Sequence, residues 1–203
     1  MEEQIDTEKR IFEAAKRVFV QKGMDGASMQ DIATSAKISR TSLHYYFRSK
    51  EKLFRAVFDD LFGQFLPQIE NIMFDDCSFQ NKLERFVSTY MDMLLQNMYL
   101  PSFIMNELNK NPKFVIQRLS QNGLLSGRMR RQIQKDLMEF DADIEVSQFM
   151  TTSLGLCVFP FLARPVIEAV FLKDDTCAFE EFIEARKSII VETLMSQLMR
   201  NAS

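Results

Sequence analysis

One histidine, His44, occurs in 203 residues. A Ser-His-Asp triad or a histidine-bearing metal site would have to be built around that single ring. Cys77, Cys157 and Cys177 are an odd set with neither close-pair nor metal-ligand spacing. They fit a reducing cytosol, where a thiol serves as a small apolar packing group. Only 6 Gly and 5 Pro are present, which argues against a turn-rich β fold and for helices. The chain has no GxGxxG, GxxxxGK[ST] or HExxH pattern. Asp59-Asp60, Asp75-Asp76 and Asp174-Asp175 are adjacent carboxylates, which solvated helix ends explain better than general acid–base work. Neither enzymatic activity nor a bound cofactor or metal is expected.

Two further absences concern location. The amino terminus, MEEQIDTEKR, is acidic and polar and lacks the apolar stretch of a signal peptide. The longest uncharged run, residues 146–163, approaches membrane-spanning length. It carries Ser147, Gln148, Thr151, Thr152, Ser153 and Pro160, so a buried helix is expected there and no membrane partner. The expected location is the cytoplasm.

What is present is ordinary in amount and uneven in placement. Hydrophobic residues make up 46% and charged residues 26%, enough for a substantial core and one or two small domains. The net charge of −3 excludes a generic polyanion binder. Residues 1–50 carry nine Lys/Arg against seven Asp/Glu, whereas the remainder carries 16 against 21. Ten of the 13 Met and 16 of the 19 Phe lie beyond residue 50. That enrichment fits an irregular core filled by methionine, or an adaptable apolar pocket.

Periodicity predicts helices throughout. A first helix runs from about Thr7 to Lys22 on Ile11, Ala15, Val18 and Phe19, with Gly23 just past its end. A helix from Lys50 to Gly63 or beyond has Leu53, Phe54, Val57, Phe58, Leu61 and Phe62 on a wide apolar face. Pro67 is expected to kink or end it. Further helices are expected from Phe79 to Asn97, from Pro101 to Leu108, and from Pro112, with Gly123 and Gly127 breaking the last from one ending near Phe140. Two more close the chain, at 145–162 and 179–200.

Between the first helix and Lys50 lies SMQDIATSAKISRTSLHYYFRSK. Ser28 is an N-cap answered by Asp31, and Met29, Ile32, Ala33 and Ala36 recur at helical spacing. Ser39 caps a second helix whose buried side holds Leu43 and Phe47. Only Lys37 and Ile38 separate the two, which leaves room for nothing but a helix-turn-helix. Thr41, His44 and Tyr45 project opposite Leu43, with Arg40 and Ser42 beside them and Tyr46 at the border of the core. From Ile32 through Lys50 there is no carboxylate, while Lys37, Arg40, Arg48 and Lys50 are basic. Such a helix suits a phosphate-lined groove. The alternative is an all-α protein-interaction module in which the same pair contacts protein.

SMQDIATSAKISRTSLHYYFRSKEKLF resembles the DNA-binding region of the TetR family of transcriptional repressors. Ile32-Ala33, Ala36, Ser39, Leu43, Tyr46-Phe47, Ser49-Lys50-Glu51 and Leu53 match the family pattern. Lys37 stands where that pattern has a turn glycine, Thr41 where it often has glycine, and His44 where it often has tyrosine. The resemblance implies an all-α protein. Residues 1–50 would be a three-helix DNA-binding domain, and residues 51–203 a larger helical domain for effector binding and dimerisation. It implies a repressor released by a small apolar effector, a near-palindromic double-stranded DNA operator, and a homodimer through the last two helices. The implied DNA contacts are Ser28, Gln30, Ser39, Arg40, Thr41, Ser42, His44, Tyr45, Tyr46 and Lys50. Of these, Tyr46 and Lys50 would touch phosphate, and Gln30, Arg40, Thr41 and His44 would discriminate bases. Met91, Phe103, Phe114 and Met150 are candidates for lining an effector pocket, whose residues the sequence does not assign.

Overall fold

The computed structural model describes residues 2–98, 100–121, 126–140, 144–173 and 176–201. Among them are eleven helices and no strand. The break expected at Gly123, the pair Asp174-Asp175, and the side chains of Leu61, Phe62 and Cys177 lie outside the described residues.

The helices are α1 (Glu2–Gly26), α2 (Met29–Ser35), α3 (Arg40–Tyr46), α4 (Lys50–Phe74), α5 (Phe79–Gln96), α6 (Leu100–Lys110), α7 (Pro112–Gln121), α8 (Gly127–Met138), α9 (Val146–Leu162), α10 (Arg164–Phe171) and α11 (Thr176–Asn201). The chain forms two compact units. One comprises Met1–Gln64 with Ser102–Arg118, and the other Phe65–Pro101 with Leu119–Ser203. Helix α4 contributes residues to both.

In the first unit, Ile11, Ala14, Ala15 and Phe19 of α1 are fully buried, as are Ile32 and Ala33 of α2 and Leu43 of α3. Helix α1 does not end cleanly at Lys22. Gly23 takes φ 67°, ψ 177°, a conformation open to glycine, and one more turn follows it. Phe54 and Phe58 of α4 are also buried. Phe54 meets Phe19 edge-on at 5.1 Å, and both Phe54 and Phe58 pack against Phe103 and Phe114. Edge-on and tilted ring pairs of this kind add to the energy of area burial.

Helix α4 continues to Phe74 with Pro67 inside it, so the proline does not end it. The cost is the one backbone hydrogen bond that Pro67 cannot donate to the carbonyl four residues back.

In the second unit α5, α9 and α11 pack on one another, and α8 packs on α9. Ser78 caps α5 and Ser126 caps α8 through bonds to Asn81 N and Met129 N. Lys82 and Asp136, both nearly inaccessible, form an ion pair at 3.1 Å, and Gln132 donates a further 2.9 Å hydrogen bond to Asp136. The pair links α5 to α8. Removing one partner from such a pair typically costs about 3–5 kcal/mol, because the other charge stays buried.

Helix α10 is absent from the periodicity reading. Pro165 opens its first turn, a position that suits proline because the missing N–H has no helical acceptor there. No single helix among the described residues is long and apolar enough to cross a membrane. Helices α9 and α10 together reach that length, but a 66° bend separates them.

Candidate DNA-binding interface

The candidate interface is built on two N-caps and one tight turn, all in the first unit. Ser28 and Asp31 form a complete capping box. Asp31 N donates to Ser28 Oγ at 3.1 Å, and Ser28 N donates to Asp31 Oδ2 at 3.0 Å. Lys22 Nζ of α1 reaches Asp31 Oδ1 at 2.8 Å. That lysine contact, followed by the bonds from Ser28, holds the Asp31 carboxyl down at about 2. The entry to α2 is thereby fastened to α1.

At its other end α2 closes in a Schellman motif. Ile38 N donates to Ala33 O at 3.0 Å and Lys37 N to Thr34 O at 3.1 Å. The residue at the left-handed position is Lys37, with φ 56°. A side chain there costs about 1–2 kcal/mol that glycine would not. Lys37, which stands where the family pattern has a turn glycine, therefore carries that strain. Arg10 of α1 answers it by donating from Nη2 to Ala36 O at 2.8 Å and to Lys37 O at 3.4 Å. The sequence reading missed Arg10, which looks like any other residue on the polar face of α1.

Ser39 then caps α3, accepting from Ser42 N at 2.9 Å, with its hydroxyl 2.8 Å from that of Ser42. The two serines are engaged with each other and with the backbone, and remain exposed. Leu43 is fully buried and anchors α3. Phe47 meets Phe12 edge-on at 5.6 Å, fixing the far end.

The outward face carries Arg40, Thr41 and Ser42, all exposed, and Tyr45, which is 78% exposed. His44 and Tyr46 are half-buried, and the Tyr45 and Tyr46 rings meet edge-on at 5.5 Å. No described residue hydrogen-bonds to the side chains of Arg40, Thr41 or His44. Gln30, exposed on α2, touches only Thr34, at 3.3 Å. Lys50 differs from the rest. Its Nζ donates to Ala27 O at 2.9 Å, tying the start of α4 to the loop before α2. The sequence offered no signal for that contact, which spans 23 residues.

The four candidate pocket residues are divided between the two units. Phe103 and Phe114 belong to the first unit, Met91 and Met150 to the second. Met91 and Phe103 are buried packing groups, and Phe114 is flanked by the guanidinium groups of Arg55 and Arg118. An open groove of roughly 520 Å³ runs instead along α5 and α11, between Gln80, Glu84, Lys187, Val191, Met195 and Met199.

Residues 11–57 match the sequence model of the family described as "Bacterial regulatory proteins, tetR family". The chain is 30% identical over 98 residues to the HTH-type transcriptional repressor NicS of Pseudomonas putida, spanning 48% of this chain and 45% of that one. Thus it aligns with less than half of that relative. The HTH-type nicotine-responsive transcriptional repressor HdnoR of Paenarthrobacter nicotinovorans is 24% identical over 180 residues, covering 89% of this chain and 86% of its own. Among solved structures, the regulator FadR from Bacillus subtilis in complex with stearoyl-CoA superposes with a TM-score of 0.69 at 16% identity, over 93% and 98% of the two chains. A putative fatty acid metabolism regulator of Clostridium perfringens gives 0.69 at 19% identity, over 90% and 97%. These similarities show a shared fold. The segment that holds the helix-turn-helix thus matches the TetR family of bacterial regulatory proteins, and the whole chain shares the all-α architecture of the solved regulators.

Proposed function

We propose that this regulator is a cytoplasmic repressor that grips a near-palindromic operator as a homodimer and leaves it when a small, largely apolar effector binds. The observation that carries the DNA-binding part is the exposed, carboxylate-free face of α3, whose Arg40, Thr41 and His44 side chains have no described partner. Unengaged donors on a rigidly capped helix are what a base-reading surface needs. Residues 1–50 serve as the DNA-binding domain in this reading, and residues 51–203 as the effector-binding and dimerisation domain.

Three features support the rest. Leu154, Phe159 and Leu162 on α9, and Ile189 and Met199 on α11, are exposed apolar side chains that a partner copy would cover. HdnoR is named as nicotine-responsive and FadR was solved in complex with stearoyl-CoA, which supports an effector-responsive reading of this chain. Helix α4 starts directly behind α3 and contributes to both compact units, giving an effector a covalent path to the reader. A ligand acts through such a path only if it prefers the state that fits DNA poorly.

Gel mobility shift with genomic DNA fragments at two salt concentrations, followed by footprinting, tests the reading. A protected, near-symmetric site is the expected result. The absence of any retarded fragment at low salt would favour the protein-interaction alternative.

A further inference from the structure

Among the described residues, Lys37 with φ 56° and Lys173 with φ 53° hold a left-handed backbone without being glycine. Glycine is the usual occupant of such a position at a helix end, because a Cβ there crowds the following carbonyl. Asparagine and aspartate recover part of the cost through a short local hydrogen bond, which lysine lacks. The two lysines differ in their surroundings. Lys173 is exposed and is followed in the sequence by Asp174 and Asp175. Lys37 is exposed within a stretch, Ile32 through Lys50, that has no carboxylate. The nearest one before it, Asp31, is already held by Lys22 at 2.8 Å.

The Lys37 corner is braced as well as strained. Arg10 donates to Ala36 O at 2.8 Å and to Lys37 O at 3.4 Å, while Lys37 N donates to Thr34 O at 3.1 Å. All of these bonds use the backbone of the corner, and no described residue bonds to the Lys37 ammonium. The Ser39 cap and Arg40 follow directly after Ile38. A cation without an internal partner thus stands just ahead of α3, on a corner fixed from both sides. Inside the protein, lysine here costs stability and returns no contact. Strained backbone that its surroundings hold in place is typical of binding sites.

We propose that Lys37 is a phosphate contact of the DNA interface, and that the left-handed turn serves to hold its charge beside α3. This rests on the reading of α2 and α3 as a DNA reader, and it adds a residue that the family resemblance does not supply. A phosphate contact positions the protein without reading bases, so Lys37 adds affinity for any duplex alike. Stability and DNA affinity are therefore set against each other at one residue. Glycine at this position relieves the backbone and removes the charge.

The test follows, on the full chain, urea unfolding and the binding of two fluorescent duplexes across a salt series. One duplex carries the footprinted site and the other has an unrelated sequence. Lys37→Gly should raise the urea midpoint and yet weaken both duplexes by the same few-fold factor, with the salt slope of binding reduced by about 1. Lys37→Gln should weaken them equally without the gain in stability, which separates the lost charge from the relieved strain. Lys37→Arg should keep the wild-type slope. Lys173→Gly is the control, expected to raise the urea midpoint and leave both duplexes bound as before. A Lys37→Gly protein that binds as tightly as wild type with an unchanged slope overturns the proposal. So does a wild-type slope in Lys37→Gln, and so does a loss confined to the footprinted site, which would make Lys37 a reader of bases. If the wild type binds neither duplex at low salt, the DNA-binding reading falls and the proposal with it. If the wild type binds and the Lys37 variants match it, only the phosphate contact falls.

Discussion

Arg10 on α1 donates to the carbonyl of Ala36 at 2.8 Å, across 26 residues of sequence, at the turn where Lys37 occupies a left-handed conformation. One guanidinium thus steadies the strained corner that sets the angle of α3 to α2. Lys37→Gly should stabilise the protein by about 1 kcal/mol by removing that strain. Arg10→Ala should destabilise it by about 1.5–3 kcal/mol, the range for a hydrogen bond to a charged group. Urea unfolding followed by circular dichroism reads both values. Arg10→Ala should also weaken operator and non-specific DNA alike, since Arg10 positions the reader without reading.

Within α3, Arg40→Ala should relax the preference at one operator position by about 1–3 kcal/mol, the worth of a bidentate arginine–guanine pair. Selection from randomised operators measures it, and an unchanged consensus would remove Arg40 from the reading set. Lys50→Ala is expected to lower the salt slope of DNA binding by about 1. Because Lys50 also holds Ala27, this variant should lose stability as well, and the slope must be measured on protein verified as folded.

A dimer through α9 and α11 should respond to the exposed side chains and not to the buried ones. Phe159→Glu and Ile189→Glu should yield folded monomers in sedimentation with weakened operator binding, since these groups are 62% and 51% exposed. Leu194→Asp and Leu198→Asp are a different case. Both leucines have no exposure within one protomer, so a charge there should unfold it, at a cost of roughly 3–5 kcal/mol or more. Of the apolar residues of the last helix, where the resemblance puts the partner, Leu194 and Leu198 are thus taken out of the dimer face by burial within one protomer.

The capping box gives a pH signature. The folded carboxyl of Asp31 is held at about 2, below its usual value, by Lys22 and Ser28. A lowered folded pKa gives a stabilisation that is full above the unfolded pKa, near 4, and lost as pH falls through the folded one. The urea midpoint difference between wild type and Asp31→Asn should therefore be constant above about pH 5 and vanish between about pH 4 and pH 2. A difference that persists at pH 2 would mean that Asp31 stabilises the cap by shape alone.

Effector release should be sensitive to packing behind α4. Phe58→Leu, beside Phe103 and Phe114, should change the effector concentration needed for release more than it changes operator affinity without effector. Operator must weaken effector binding by the same factor that effector weakens operator, typically 5- to 150-fold. Titrating one ligand in the presence of the other checks the equality.

Local chemistry in the sequence determined most of what is local. Ser28, Asp31 and Ser39 specify where α2 and α3 begin, because a cap needs only a side-chain oxygen within three residues of the N–H it satisfies. The helical spacing of Ile32, Ala33 and Leu43 marks the buried face, and Lys37 marks the strained turn. Only the tertiary structure decided how Arg10 and Lys50 are used, since each bonds a carbonyl more than twenty residues away that no periodicity points to. In α11 the sequence puts apolar residues around much of the helix. Spacing says which of them share a side, but what covers that side is decided by other helices. Leu194 and Leu198 were thus indistinguishable from Ile189 and Met199 until α5 and α9 were packed against them. Pro165, which marks the start of α10, was visible in the sequence all along, but its meaning depended on a 66° bend after Leu162.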